Sequence, residues 1–150
     1  MPVPPGYSFG DLVAAIKLIK QIVKAFNEAK GAKKQCRGAF VFLQAFQQNL
    51  ELIHKFLKEV PQRPYADALD TRLELVRLAY NAFETALLEH VRLVSGSQSL
   101  ARDVWAKIKW TFVSNEIEKL RADVSETFAT LHIWIDLEAK YDTDDAPVML

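Results

Sequence analysis

The amino-acid sequence predicts an all-α fold, an antiparallel four-helix-type bundle in which one helix is kinked or broken, giving four to five helices. Apolar residues recur every three or four positions over nearly all of residues 8–141, and no stretch alternates as a strand does. Half of the 150 residues are apolar, a quarter are charged and only eleven are Gly or Pro. This balance indicates one packed domain and excludes collagen-like or wholly disordered chains.

The first helix follows a leader, residues 1–7, and is predicted to begin at Ser8. Asp11 lies three positions after Ser8, a weak form of the capping box. Gly31 is expected to end the helix. Lys17, Lys20 and Lys24 lie opposite an apolar stripe, which consists of Phe9, Leu12, Val13, Ile16, Ile19, Ile22, Val23 and Phe26.

A second helix is predicted over about residues 33–59, before Pro61 and Pro64, which cannot continue it. Gly38 costs about 1 kcal/mol relative to Ala inside a helix, which allows a later start. The apolar stripe of this helix consists of Cys36, Phe40, Leu43, Phe46, Leu50, Ile53 and Leu57.

A third helix is predicted over about residues 65–94 and is ended by the Ser-Gly-Ser sequence at 95–97. Its apolar positions again follow the helical period. They are Leu69, Leu73, Val76, Tyr80, Phe83, Leu87 and Val91.

The remaining chain predicts a short helix capped by Ser99, then a kink or restart at residues 114–117, where Asn115 and Glu118 form a new N-cap signal. The last helix is expected to fray into residues 142–150, an acidic segment that we interpret as the start of a linker. The stripes of the two helices are Leu100, Val104, Trp105, Ile108 and Phe112, then Ile117, Leu120, Val124, Phe128, Leu131 and Ile135.

The net charge is zero, which disfavours a nucleic-acid partner, but the charges are unevenly distributed. Residues 1–37 contain seven basic and two acidic side chains, a net charge of +5. The other 113 residues contain twelve basic and seventeen acidic side chains, a net charge of −5. The positive segment coincides with the basic amphipathic first helix.

Motifs for catalysis or metal binding are incomplete in this sequence. Glu51 and His54 form a Glu-x-x-His pair, but neither His90 nor His132 has the second Glu that a di-iron bundle needs. His132 and Asp136 could pair across one helical turn, although two ligands do not make a zinc site. The glycines match no phosphate-binding loop. We therefore predict a non-enzymatic domain with no catalytic residues, no metal and no cofactor.

Cys36 is the only cysteine, so no disulfide can form within the chain. Nearby cations could activate its thiol, but its place on the apolar stripe favours a buried, inert side chain. The sequence has no signal-peptide pattern, and its longest uncharged stretch, residues 38–50, is too short to cross a bilayer. These features predict a cytoplasmic protein.

The tryptophans allow two interpretations. Trp105 and Trp134 lie near core stripes and are expected to pack inside the bundle. Trp110 lies off the stripe beside Lys107 and Lys109, a combination suited to a membrane interface or a partner protein. Partial burial of Trp110 under a neighbouring loop is the alternative.

Two segments resemble the HeLo-like N-terminal domains of fungal STAND (NOD-like) proteins, and the resemblance covers most of the chain. Residues 6–20 resemble that family in the Phe-Gly-Asp entry into an Ile/Ala/Lys helix. Residues 101–110, continuing through 115–121, are similar to its Trp-x-Lys-(Ile/Val)-Lys-Trp block and the helix after it. The resemblance implies a helical bundle related in architecture to the four-helix killer domain of the necroptosis pseudokinase.

The resemblance also implies a function in regulated cell death and nonself recognition, in which the domain self-associates on activation, relocates to the plasma membrane and perturbs it. Anionic lipids are the expected partners, and further domains are expected after Leu150. The three lysines favour a helix that lies in the interface over deep insertion, or a scaffolding role. The candidate membrane residues are Leu12, Val13, Ile16, Lys17, Ile19, Lys20, Ile22, Val23 and Lys24.

Two hypotheses remain open from the residues alone. The first helix could exchange its burial in the bundle for lipid, or it could be an ordinary bundle helix with a solvated lysine face. In the second case the chain would be a protein–protein assembly or adaptor module without membrane activity.

Overall fold

The computed structural model describes residues 9–29, 33–59, 66–97, 99–100 and 102–148, with the side chains of 9, 10, 33, 66, 67, 102, 134, 135 and 137–148 left out of that description. Within these ranges the all-α prediction is confirmed, and no strand is present. The α-helices are α1 (Phe9–Glu28), α2 (Lys33–Glu59), α3 (Ala66–Ser95) and α4 (Trp110–Val148), and a 3₁₀ helix (Arg102–Ala106) precedes α4. The predicted leader, the Ser8 cap, the Gly31 stop and the Trp134 side chain lie outside the described residues.

The helices pack in the order α1, α2, α4, α3 around the core. Consecutive helices alternate in direction, so the neighbours α2 and α4 run parallel. Cys36 Sγ lies 3.6 Å from the carbonyl oxygen of Trp110, close to the start of both helices. Further along the same pair, His132 Nε2 lies 2.9 Å from Asn49 Oδ1.

Phe46 of α2 lies at the centre of the core. Its ring centroid is 5.1 Å from that of Phe128 on α4 and 6.4 Å from that of Tyr80 on α3. Burying one such large apolar side chain stabilises the fold by roughly 1.5–3 kcal/mol, so the stripes supply the main driving force. The predicted stripe residues that are almost fully buried include Leu12, Ile19, Ile22, Leu43, Leu50, Leu73, Val76, Leu87, Val91, Ile117, Leu120, Val124 and Leu131.

The predicted end of the third helix is confirmed at Gly96. The φ angle of Gly96 is +80°, a left-handed conformation that side chains with a Cβ atom rarely adopt. Its N–H donates to the carbonyl of Arg92 at 2.7 Å, which closes the last turn. The second helix begins at Lys33 and passes through Gly38 without interruption, so the later start that Gly38 allowed does not occur.

The predicted break at residues 114–117 is wrong, and so is the short α-helix starting at Ser99. Residues 102–106 form a 3₁₀ helix instead, and α4 runs unbroken from Trp110. The carbonyl of Lys109 accepts from the N–H groups of Phe112 and Val113, which places the N-cap at Lys109. Burial of Val113 together with the other stripe residues of α4 outweighs the local cap signal at Asn115.

The last helix continues to Val148, beyond the predicted fraying at residue 142. Asp and Thr each cost less than about 0.7 kcal/mol relative to Ala in a helix, so acidic composition alone does not end one. Residues 142–148 therefore form the last turns of α4.

Candidate functional site

The apolar face of α1 is directed into the bundle. Leu12, Ile19 and Ile22 are fully buried, and Ile16 and Val23 are half-buried against the core. Val13 is the exception, with 37% of its surface exposed. The apolar half of the predicted membrane segment is thus part of the core in this state.

The three lysines of α1 form an exposed stripe on the opposite face. Lys20 Nζ lies 3.7 Å from Glu51 Oε1 of α2, and Glu51 also accepts from Gln47 Nε2 at 2.8 Å. Because both charged side chains are about half exposed, the ion pair stabilises α1 by at most about 1 kcal/mol. Lys17 and Lys24 extend the stripe on either side of this pair.

A polar cleft of about 260 Å³ separates α1 from α3. Ala14 and Ala15 form part of the α1 wall, and Arg77, Asn81 and Glu84 form part of the α3 wall. On this side α1 offers the carboxylate of Asp11 and the methyl groups of Ala14 and Ala15 to largely polar neighbours. The large apolar side chains of α1 pack chiefly against α2.

An aromatic cluster, which consists of Phe26, Phe40, Trp105 and Trp110, fastens the end of α1. Phe26 of α1 and Phe40 of α2 stack with centroids 3.7 Å apart and rings 2° from parallel. Trp110 of α4 meets both rings edge-on at 5.6 Å, and Trp105 lies parallel to Trp110 at 6.1 Å. Any movement of α1 away from the bundle must therefore separate Phe26 from the other three rings of the aromatic cluster.

A groove of about 500 Å³ runs beside the aromatic cluster, between the last turns of α1 and the connection that precedes α4. Its walls carry one lysine, one glutamate and one tryptophan side chain among smaller groups. They are formed by Gln21, Lys24, Ala25, Glu28, Leu100 and Trp105.

The second predicted interface, Lys107, Lys109 and Trp110, is divided by the structure. Both lysines are exposed, whereas the Trp110 ring is half-buried in the aromatic cluster. The partial burial that the sequence left open as an alternative therefore describes Trp110. A role of Lys107 and Lys109 in contacting a membrane or partner stays a prediction.

The other sequence candidates make contacts outside the predicted pairs. Glu51 is directed to Gln47 and Lys20, and His132 bonds Asn49. Among the residues that the structure describes, no three His, Cys, Asp or Glu side chains are grouped as metal ligands. Cys36 is buried with 1% exposure, as its place on the apolar stripe predicted.

The sequence reasoning missed one buried polar contact, at His90. Its Nε2 accepts a hydrogen bond from the backbone N–H of Lys109 at 3.1 Å, and its ring stacks on Phe112 at 4.4 Å. Burial, and secondarily the positive charge of Lys109, lower the pKa of His90 below its usual 6.5. Local spacing carried no signal for this contact because its partners are 19 residues apart.

No protein-family model matches the chain, and no curated protein or solved structure matches it. Within the described ranges, none of the helices combines the length and the apolar character needed to cross a bilayer. The fold and the surfaces around α1 are therefore the basis for a functional proposal.

Proposed function

We propose that this chain is a non-enzymatic effector domain of the HeLo-like type, acting in fungal regulated cell death and nonself recognition. It oligomerises on activation and binds or perturbs the plasma membrane through α1. The observation that carries the proposal is the two-sided character of α1, which has a buried apolar face and an exposed lysine stripe. The sequence resemblance to HeLo-like domains supports the same function.

The packing of α1 supports a helix that can be exchanged between bundle and lipid. Moving Leu12, Ile19 and Ile22 from a protein core into acyl chains leaves the hydrophobic contribution of these three side chains nearly unchanged. The polar cleft beside α3 means that few apolar contacts are lost on that side. Oligomerisation on activation is the input that would shift the balance toward the released state, because an input favours a state only by its differential interaction with it.

The lysine stripe supplies the preference for an anionic surface. Each basic residue near such a surface contributes about 1 kcal/mol of attraction. In the released helix Lys17, Lys20 and Lys24 lie along one face, so α1 fits the plane of the interface better than a spanning orientation.

The experiment compares two charge-reversed variants in binding and dye leakage, with vesicles of phosphatidylserine and phosphatidylcholine. K17E/K24E changes α1 and leaves the Lys20–Glu51 pair in place. K55E/K58E changes the net charge by the same amount at exposed positions of α2. We expect K17E/K24E to weaken vesicle binding by at least about thirtyfold, the equivalent of 2 kcal/mol, and to suppress leakage.

The control variant should keep most of the wild-type binding and leakage. Equal loss in both variants would mean that only net charge matters, and would contradict a specific role of α1. Absence of binding and leakage in the wild type, even when oligomerisation is forced, would contradict the membrane function and leave the protein–protein assembly module.

A further inference from the structure

The outward face of α3 carries an uncharged stripe at coiled-coil spacing, which we call the α3 seam. Its six residues follow one another at alternating intervals of three and four, and all are exposed. This 3.5-residue period is that of a helix which packs lengthwise on another helix. The seam consists of Ala68, Thr71, Leu75, Leu78, Ala82 and Thr85.

The two central leucines are the largest side chains of the seam, with 45% of Leu75 and 53% of Leu78 exposed. They are one helical turn apart, so they form one continuous apolar surface. The seam spans 18 residues, about 27 Å of helix at 1.5 Å per residue. At its centre the two exposed leucines adjoin, unlike the singly scattered apolar side chains that are normal on a soluble domain.

The order of side chains in the α3 seam is self-complementary about a two-fold axis between Leu75 and Leu78. An antiparallel second copy places Leu75 opposite Leu78 of the partner subunit, Thr71 opposite Ala82 of the partner subunit, and Ala68 opposite Thr85 of the partner subunit. Large residues meet large ones at the centre, and small residues meet small ones toward both ends. An isologous contact requires this kind of self-match.

The charges beside the seam agree with the same arrangement. Arg72 and Glu74 flank the leucines. In the antiparallel pairing Arg72 lies near Ala79 of the partner subunit, and Glu74 lies near Asn81 of the partner subunit. No like charges oppose each other, whereas like charges across such a seam would destabilise it.

We infer that the α3 seam is the contact surface of an antiparallel, two-fold symmetric homodimer. A single helix pair of this length buries an area at the low end for specific interfaces, so the dimer is weak and reversible. This inference uses neither α1 nor lipid, and it stands or falls independently of the membrane function.

The experiment is sedimentation velocity of the purified chain without lipid, over a concentration series up to about the millimolar range in which weak contacts are populated. L75E/L78E places like charges across the two-fold axis and should weaken self-association by at least about tenfold. L75E/L78K places opposite charges across an antiparallel seam and should dimerise more tightly than L75E/L78E, with a difference that shrinks in high salt. Leu93→Lys, on the same helix outside the seam and 69% exposed, is the matched control and should dimerise as the wild type does.

Circular dichroism of each variant checks that the fold is kept, as expected for exposed positions. A wild-type chain that stays monomeric throughout the series would overturn the inference. Unchanged association of L75E/L78E would also overturn it. L75E/L78K behaving the same as L75E/L78E would overturn the antiparallel arrangement, because only a parallel pairing opposes each residue with its own copy.

Discussion

His90 Nε2 accepts a hydrogen bond from the backbone N–H of Lys109, and this contact joins the end of α3 to the N-cap of α4. The acceptor is a neutral imidazole with its proton on Nδ1, because a protonated ring has no lone pair to offer. The start of the longest helix therefore depends on the charge state of one buried side chain.

This contact predicts a loss of stability in acid. The pKa of His90 is lowered in the folded chain, so the unfolded chain binds the additional proton first. The stabilisation is complete above the unfolded pKa near 6.5 and is lost as the pH falls through the folded value. Urea unfolding at pH 7.5 and 5.0 should show a smaller pH dependence for His90→Gln than for the wild type.

The control for this prediction is His54→Gln, at a half-buried position inside α2. His90→Phe removes the acceptor while keeping the ring, and should cost about 1–3 kcal/mol at neutral pH. If His90→Gln kept the full pH dependence, the proton would be binding elsewhere.

Phe26→Ala tests how much the Phe26 ring contributes to the packing of α1 on the bundle. Loss of a buried phenylalanine costs about 3–5 kcal/mol, and here the loss falls on the contact between α1 and the aromatic cluster. Phe128→Ala is the matched control, since both rings are 6% exposed but Phe128 lies on α4. Hydrogen exchange should accelerate chiefly in α1 for Phe26→Ala, and vesicle leakage should begin at lower protein concentration.

Equal leakage from the two phenylalanine variants at equal loss of stability would show that general unfolding, not release of α1, opens the domain. Exchange that accelerates equally in all helices would lead to the same conclusion.

Two glycine substitutions should change stability in opposite directions. Gly38 lies inside α2 and an added Cβ meets no atom within 4 Å, so Gly38→Ala should stabilise the chain by about 0.5–1 kcal/mol. Gly96 has a positive φ, so Gly96→Ala should destabilise it by about 1 kcal/mol despite equally open space. Thermal unfolding of both variants measures the difference, and the same sign for both would contradict the assigned backbone at Gly96.

The bond between Asn49 and His132 should couple α2 to α4. A double-mutant cycle with Asn49→Ala and His132→Ala should give a coupling free energy of about 0.5–1.5 kcal/mol, the usual net contribution of one such bond. The same cycle with Lys20→Ala and Glu51→Ala should give less, because those side chains are more exposed. The opposite order of the two values would mean that the exposed ion pair holds the bundle together.

The sequence was sufficient to predict the helices and their buried stripes, because periodic burial of residues such as Leu12, Phe46 and Leu120 is a local pattern. The helix break was predicted at residues 114–117, whereas it lies before Trp110. The contact between His90 and Lys109 beside the true break joins positions that no local pattern relates. The apolar face and the lysine face of α1 were likewise predictable. The stacking of Phe26 on Phe40 and the polar cleft beside α3 were not, because they depend on which helices become neighbours.

We propose that α1 must leave the bundle to act on a membrane. Lys20 Nζ and Glu51 Oε1 are 3.7 Å apart, so a carbodiimide can join them through an amide bond and fix α1 on α2. The decisive measurement is dye leakage from phosphatidylserine-containing vesicles by the cross-linked chain, verified by mass spectrometry. Identically treated Glu51→Gln, which cannot form the bond, is the control.

We expect the cross-linked chain to cause no leakage, while treated Glu51→Gln remains active. Full leakage by the cross-linked chain would contradict the release of α1 as the step that acts on the membrane.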